Sequence, residues 1–206
     1  MPDIPNRSTP PQSTGLGGAL RLPGLRRMVT ATALLIFGHF TVYTYVTPLL
    51  HDAAAFSEAA TSMLLALYGL AGFLGTWLGG ALVDRRPHTV LLGTIALMAG
   101  SLVLLGGSIR LQPLAVVAVA LWGVAFAALP VTLQSSVLRL GATAPDAASS
   151  WYVSAFNLGI GGGALGIGLL SDSPVAMLPW MALIPVVPAF VSAWTTRAAF
   201  SHPQSP

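Results

Sequence analysis

Residues 63–92 read MLLALYGLAGFLGTWLGGALVDRRPHTVLL: a long apolar run, the charged turn Asp84-Arg85-Arg86-Pro87-His88, and a second apolar run. Gly69, Gly72, Gly75 and Gly79, with Gly80 beside them, recur at three- or four-residue steps, which puts them on one helix face. In water that glycine load weakens a helix. In lipid it lets a neighbouring backbone come close, which is how membrane helices pack. Two apolar helices joined by so short a charged turn read as a membrane hairpin.

The rest of the chain carries the same stamp. Of its 206 residues 54% are hydrophobic and 7% charged, against roughly 25% charged in an ordinary soluble domain. Such a chain cannot cover itself with polar surface in water, so the expected fold is an all-α integral membrane protein in a lipid bilayer. All nine basic residues are arginine, too sparse for a phosphate-binding face, and no nucleic-acid partner is expected. The absence of cysteine excludes disulfides, thiolate metal sites and cysteine catalysis. The absence of lysine excludes the phosphate-binding loop of an ATP-driven pump. Neither a metal nor a cofactor is expected.

Six runs near the roughly 20 residues needed to cross the hydrocarbon lie at 28–50, 60–83, 88–109, 113–138, 147–170 and 175–196. Residues 1–27 are polar and proline-rich and read as a disordered tail; 198–206 form a second tail. Six spans leave both ends on one side. With that side cytoplasmic, Arg7, Arg21, Arg26, Arg27, Arg85, Arg86, Arg139 and Arg197 are inside and Arg110 is outside. That asymmetry places both termini in the cytoplasm. Arginine without lysine, with abundant alanine, suggests a GC-rich bacterial genome and so a bacterial inner membrane.

A faint repeat is also present. At an offset of 88 residues Gly75, Gly80 and Asp84 fall on Gly163, Gly168 and Asp172. The second and fifth spans thus both carry glycine packing faces (Gly75 and Gly79; Gly159 and Gly163) and end in Gly-x-x-x-Asp. One ends inside and the other outside, the pattern of two inverted three-helix repeats.

Gly80-Ala81-Leu82-Val83-Asp84-Arg85-Arg86-Pro87-His88 resembles the loop of the major facilitator superfamily, usually Gly-x-x-x-Asp-Arg/Lys-x-Gly-Arg-Arg/Lys. Gly80, Asp84 and Arg85 match, whereas Pro87 and His88 stand where the family has Gly and Arg. Residues 121–126 (LWGVAF) with 130–134 (PVTLQ) resemble the tenth span of the arabinose-efflux-permease-like, twelve-span drug:proton antiporter branch. Residues 156–164 (FNLGIGGGA) resemble its eleventh span, and 38–48 (GHFTVYTYVTP) its seventh. The resemblance covers residues 20–197 and implies the C-terminal six-span half of a transporter, with residues 1–27 matching the cytoplasmic linker between halves. It further implies proton-coupled efflux of small molecules by alternating access, completed by an N-terminal six-span half or by a homodimer.

Individual residues then acquire roles. The resemblance makes Asp84 and Arg85, with Gly80, a gating loop at the cytoplasmic face; an acid at a helix C-terminus also opposes the dipole and needs a basic partner. The plainer reading is that Arg85 and Arg86 anchor topology. His39 is the one ionisable group deep in an apolar span, a candidate for proton coupling, or else a neutral histidine bonded to a neighbouring helix. Tyr43, Tyr45, Gln134 and Asn157 are candidates to line a central cavity, with interhelical hydrogen bonding as the alternative. His51, Asp52, Glu58 and Asp172 read as solvated loop groups. Gly161 to Gly166 fits Gly-x-Gly-x-x-Gly but sits mid-span, without the strand a dinucleotide site requires. An intramembrane hydrolase would need Ser154 activated by a base such as His39, and no motif supports it. The chain is therefore not expected to be an enzyme; the competing expectation is a membrane remnant or assembly subunit that transports nothing.

Overall fold

The computed structural model describes residues 15–22, 24–168 and 174–197, and for 166–168 the backbone alone. The expectations for residues 1–14 and 198–206 and for Asp172 lie outside these. In chain order the elements are α1 (Leu16–Ala19), α2 (Leu25–Tyr43), α3 (Val46–Pro48), which runs into a π turn (Leu49–Ala53), and α4 (Glu58–Val83). Then come α5 (Pro87–Gly107), α6 (Gln112–Leu140), α7 (Pro145–Gly168), a 3₁₀ turn (Val175–Met177) and α8 (Leu178–Trp194). No strand occurs among the described residues.

Local chemistry sets the helix ends. Ser57 caps α4, its side chain accepting from the Ala60 amide at 3.2 Å. Proline opens α5, α6 and α8 at the first or second position, where its missing N–H leaves no bond unmade. Pro48 does the reverse. Its ring crowds the carbonyl four residues back, at Thr44, and α2 and the segment Val46–Ala53 meet there at 54°. The run at 28–50 is thus a bent pair and not one straight helix.

Four helices, α4, α5, α6 and the Val175–Trp194 segment, are long and apolar enough to cross a membrane, and the bent pair makes a fifth. The helix α7 is 24 residues long but is not among them. Ser149, Ser150, Ser154, Asn157 and the glycines at 161–163 dilute its apolarity. Such a helix suits a position against protein or water more than one ringed by lipid.

The most extensive helix pairs are α4 with α6 and α2 with α7, followed by α5 with α6 and α2 with α8. The stripe Leu91, Ile95, Met98, Leu102 and Leu105 of α5 is fully buried in this core. Close approach at the two leading pairs depends on glycine. A Cβ at Gly75 would run into the backbone of Val124, and one at Gly123 into the backbone of Tyr68. On the other pair, a Cβ at Gly159 would lie 2.8 Å from the Ala33 carbonyl oxygen, and one at Gly163 would strike the Phe37 carbonyl. Gly79 is looser, 3.3 Å from the Ala128 Cβ.

The helix ends sort into two layers. At one end Arg27 donates to the Thr195 carbonyl at 3.3 Å and His88 meets the Ala193 carbonyl at 3.2 Å. These two side chains bring the start of α2 and the start of α5 to the last turn of α8. At the opposite end Gln112, where α6 begins, donates to the Ala55 carbonyl at 3.0 Å.

Candidate functional site

His39, on α2, is fully buried in a ring of aromatic side chains from three helices. Phe126 of α6 stacks on it, with centroids 3.3 Å apart and planes within 5°. Trp122 of α6 and Tyr43 of α2 each lie at 5.2 Å, Phe40 at 5.0 Å and Tyr68 of α4 at 6.5 Å. The hydrogen bond to a neighbouring helix, the ordinary fate of such a histidine, is not made. Neither ring nitrogen has a hydrogen-bond partner among the described residues, and neither do the Tyr68 hydroxyl or the Trp122 indole N–H. Each buried polar group without a partner costs about 1–3 kcal/mol. Four such atoms share one cluster, an unusual concentration for a packed interior.

Asp84 closes α4 at the arginine-rich end. Its partner is Arg139, in the last turn of α6, whose Nη2 donates to Asp84 Oδ1 at 3.0 Å while its Nε reaches Ser135. Both carboxylate and guanidinium are solvent-accessible, 82% and 43% exposed, so the pair adds at most about 1 kcal/mol to stability. Arg85 follows on the exposed turn, and Gly80 faces open space, with nothing within 4 Å of a Cβ built there.

The cavity candidates divide. Tyr43 is 39% exposed beside the His39 cluster, and Gln134 and Asn157 are exposed on α6 and α7. Asn157 donates to the Val153 carbonyl of its own helix at 2.8 Å and so bridges no helices. Tyr45 is half-buried against the apolar core. Ser154 is exposed on α7, whereas His39 is enclosed by the five aromatic rings. The run 161–166 is continuous helix, with no loop to cradle a phosphate. Among the described residues no three His, Asp or Glu side chains converge to hold a metal ion.

Two features escaped the sequence reading. Arg139 was one arginine of eight on its side, and only the fold brings it to Asp84. Tyr68 comes from α4 and Trp122 and Phe126 from α6, one turn apart, and nothing in their spacing ties them to His39 on α2.

The family model of the Major Facilitator Superfamily matches residues 2–164. The chain is 32% identical over 165 residues to a probable sugar efflux transporter of Helicobacter acinonychis, covering 80% of this chain and 42% of that protein. It is 34% identical over 165 residues to a chloramphenicol efflux pump of Mycobacterium tuberculosis, covering 77% of this chain and 40% of the pump. Among solved structures it superposes on the POT family transporter PepTSo with a TM-score of 0.77 at 15% identity, covering 90% of this chain and 39% of that one. The chain belongs to the major facilitator superfamily and is a multi-pass membrane protein. It spans about two fifths of the length of the curated relatives it matches.

Proposed function

We propose that the chain is the C-terminal six-span half of a proton-coupled exporter of small molecules, working by alternating access against a second six-span half or a second copy of itself. The observation that supports this reading is the helix pairing, which fits two exchangeable three-helix units. Exchanging α2, α4 and α5 for α6, α7 and α8 turns the α4–α6 pair into α7–α2 and the α5–α6 pair into α8–α2. These are the four leading contacts of the fold. The glycine contacts follow the same exchange, with Gly75 on Val124 echoed by Gly159 and Gly163 on Ile36 and Phe37. Nested inverted triplets build transporter halves of this kind, with the substrate site near the midplane between halves.

In this reading Tyr43, Gln134 and Asn157 line the wall that faces the second half, and His39 behind Tyr43 couples the proton. The cargo is a small molecule of the kinds named for the relatives, a sugar or chloramphenicol. The arginine-rich end is cytoplasmic in a bacterial inner membrane, by the eight-to-one division of arginines. Because the chain has no cysteine, single substitutions test this directly. In intact cells Arg110→Cys is expected to react with an impermeant maleimide and Arg26→Cys only after lysis; the reverse pattern would invert the topology.

Asp84 and Arg139 clasp the cytoplasmic ends of α4 and α6 and, with Arg85, act as the gate. Since the pair is exposed, Asp84→Asn is expected to shift thermal stability by less than about 1 kcal/mol while changing the opening rate. Single-molecule distance measurements across the cytoplasmic mouth check both. A stability loss several times larger would make the pair a structural clamp.

On α8 the exposed residues Trp180, Ile184, Val187, Val191 and Trp194 form one stripe with tryptophan at both ends. At 1.5 Å per residue the tryptophans stand about 21 Å apart along the axis, so each ring must reach a few Å outward to sit at either edge of a hydrocarbon core about 30 Å thick. Lipids brominated near the headgroup are expected to quench both more strongly than lipids brominated at the chain ends. Equal quenching by the two would place α8 elsewhere.

A further inference from the structure

Five buried side-chain atoms lack a hydrogen-bond partner among the described residues: both His39 nitrogens, Tyr68 Oη, Trp122 Nε1 and Thr61 Oγ1. The first four belong to the ring cluster of α2, α4 and α6; Thr61 stands seven residues before Tyr68 on α4. Thr61 is the informative one. Thr32, Thr41, Thr94 and Thr132 each donate to the carbonyl four residues back, the usual outlet for a hydroxyl in a helix. Thr61, 4% exposed, does not. It lines a cavity of about 420 Å³ at the end opposite the arginines, walled by Thr47, His51, Asp52 and Glu58. Asp52 is held by His51, whose Nδ1 lies 2.8 Å from Oδ1.

The cavity's lining reaches inward as far as Leu65, and beyond it two strings of side chains form a seam toward His39. Thr61, Leu65 and Tyr68 stand at i, i+4 and i+7 on one face of α4, His39 and Tyr43 lie one turn apart on α2, and Thr47 follows beyond the 54° bend. The two strings meet where Tyr43 and Tyr68 lie 5.6 Å apart, beside His39. We propose that this seam is a proton access path, leading from the acidic cavity on the outer face past Thr61, Tyr43 and Tyr68 to His39.

The proposal rests on the proton-coupled reading above and supplies its route. Asp52 and Glu58 concentrate cations at the mouth, and the orphaned Thr61 and Tyr68 hydroxyls offer hydrogen bonds to water inside. At the inner end a hydronium O–H bond breaks as an N–H bond forms on the bare ring nitrogen of His39, leaving water and an imidazolium. The face of Phe126, stacked on that ring, holds a cation without a carboxylate. The titratable neighbours of His39 are Tyr43 on its own helix and Tyr68 on α4. Helix α6 presents Trp122 and Phe126, which do not titrate, and α8 carries no titratable side chain over Leu178–Trp194. Tyr152 of α7 is directed to the Pro130 carbonyl.

Trp122, 5.2 Å from His39, reports the proton because an imidazolium quenches indole fluorescence. With Trp77, Trp151, Trp180 and Trp194 changed to Phe, the chain in vesicles is given an acid step on one side. Acid on the outer side is expected to quench Trp122. The response should vanish in His39→Phe and lose most of its amplitude in Thr61→Val or Tyr68→Phe. Quenching driven only from the arginine-rich side would overturn the path. A second measurement needs no tryptophan changes: Thr61→Cys should react from outside with a cationic thiosulfonate about tenfold faster than with an anionic one, and far faster than Leu64→Cys. Asp52→Asn with Glu58→Gln should abolish that preference. Thr61→Cys no faster than Leu64→Cys would also sink the idea. Outer-side quenching without any transport would keep the path and refute the transporter reading; proton-driven transport without it would do the opposite.

Discussion

Gly75→Leu is expected to abolish folded, monodisperse protein, whereas Gly80→Ala, five residues along the same helix, is expected to leave it intact or stabilise it. A side chain at Gly75 meets the Val124 backbone, which has no rotamer to yield, and α4 and α6 must part. Overpacking by movable side chains costs about 1–3 kcal/mol, so a backbone obstruction on the most extensive helix pair sits at or above that range. At Gly80 nothing lies within 4 Å of a Cβ, and alanine there gains about 0.5–1 kcal/mol of helix propensity. Thermal unfolding in detergent, read with size-exclusion monodispersity, separates the two. Similar midpoints for both variants would mean that the α4–α6 approach is not set by glycine. Gly163→Leu, at the corresponding place between α7 and α2, should behave as Gly75→Leu does.

The second large effect is expected at His39→Phe. Phenylalanine fits a slot already walled by five aromatic rings and removes two unpartnered ring nitrogens, so the fold should hold or gain stability. Accumulation of substrate driven by a pH gradient should fall by about a hundredfold or more, the scale of losing a positioned proton carrier, while equilibrium exchange of labelled substrate persists. A histidine that merely packs would move both readouts together or neither.

Hydropathy made four helices and the bent pair legible as spans because a helix in lipid must be apolar on nearly every side, whereas the run at 147–170 forms a helix without that apolarity. The glycine faces were legible too, since three- and four-residue steps place them on one side of α4 and α7. The bend at Thr44 was foreshadowed by Pro48 but hidden inside an unbroken apolar run. The partnership of Asp84 with Arg139 and the enclosure of His39 were not legible. Those side chains are brought together by packing between helices up to 87 residues apart in sequence, and an apolar run gives no register for which face meets which. Residues such as Tyr68 and Trp122 look like ordinary membrane aromatics until the fold leaves their polar atoms without partners among the described residues.

As one wall of an alternating-access site, this chain needs a second wall to move cargo. Single vesicles holding fluorescently tagged chains, loaded with labelled chloramphenicol or a labelled disaccharide, test it when exchange and photobleaching steps are read from the same vesicle. The expected result is no exchange in vesicles with one bleaching step, and exchange only with a second copy or with a co-reconstituted N-terminal half. Exchange by vesicles holding a single chain, at the rate of the others, would contradict the account.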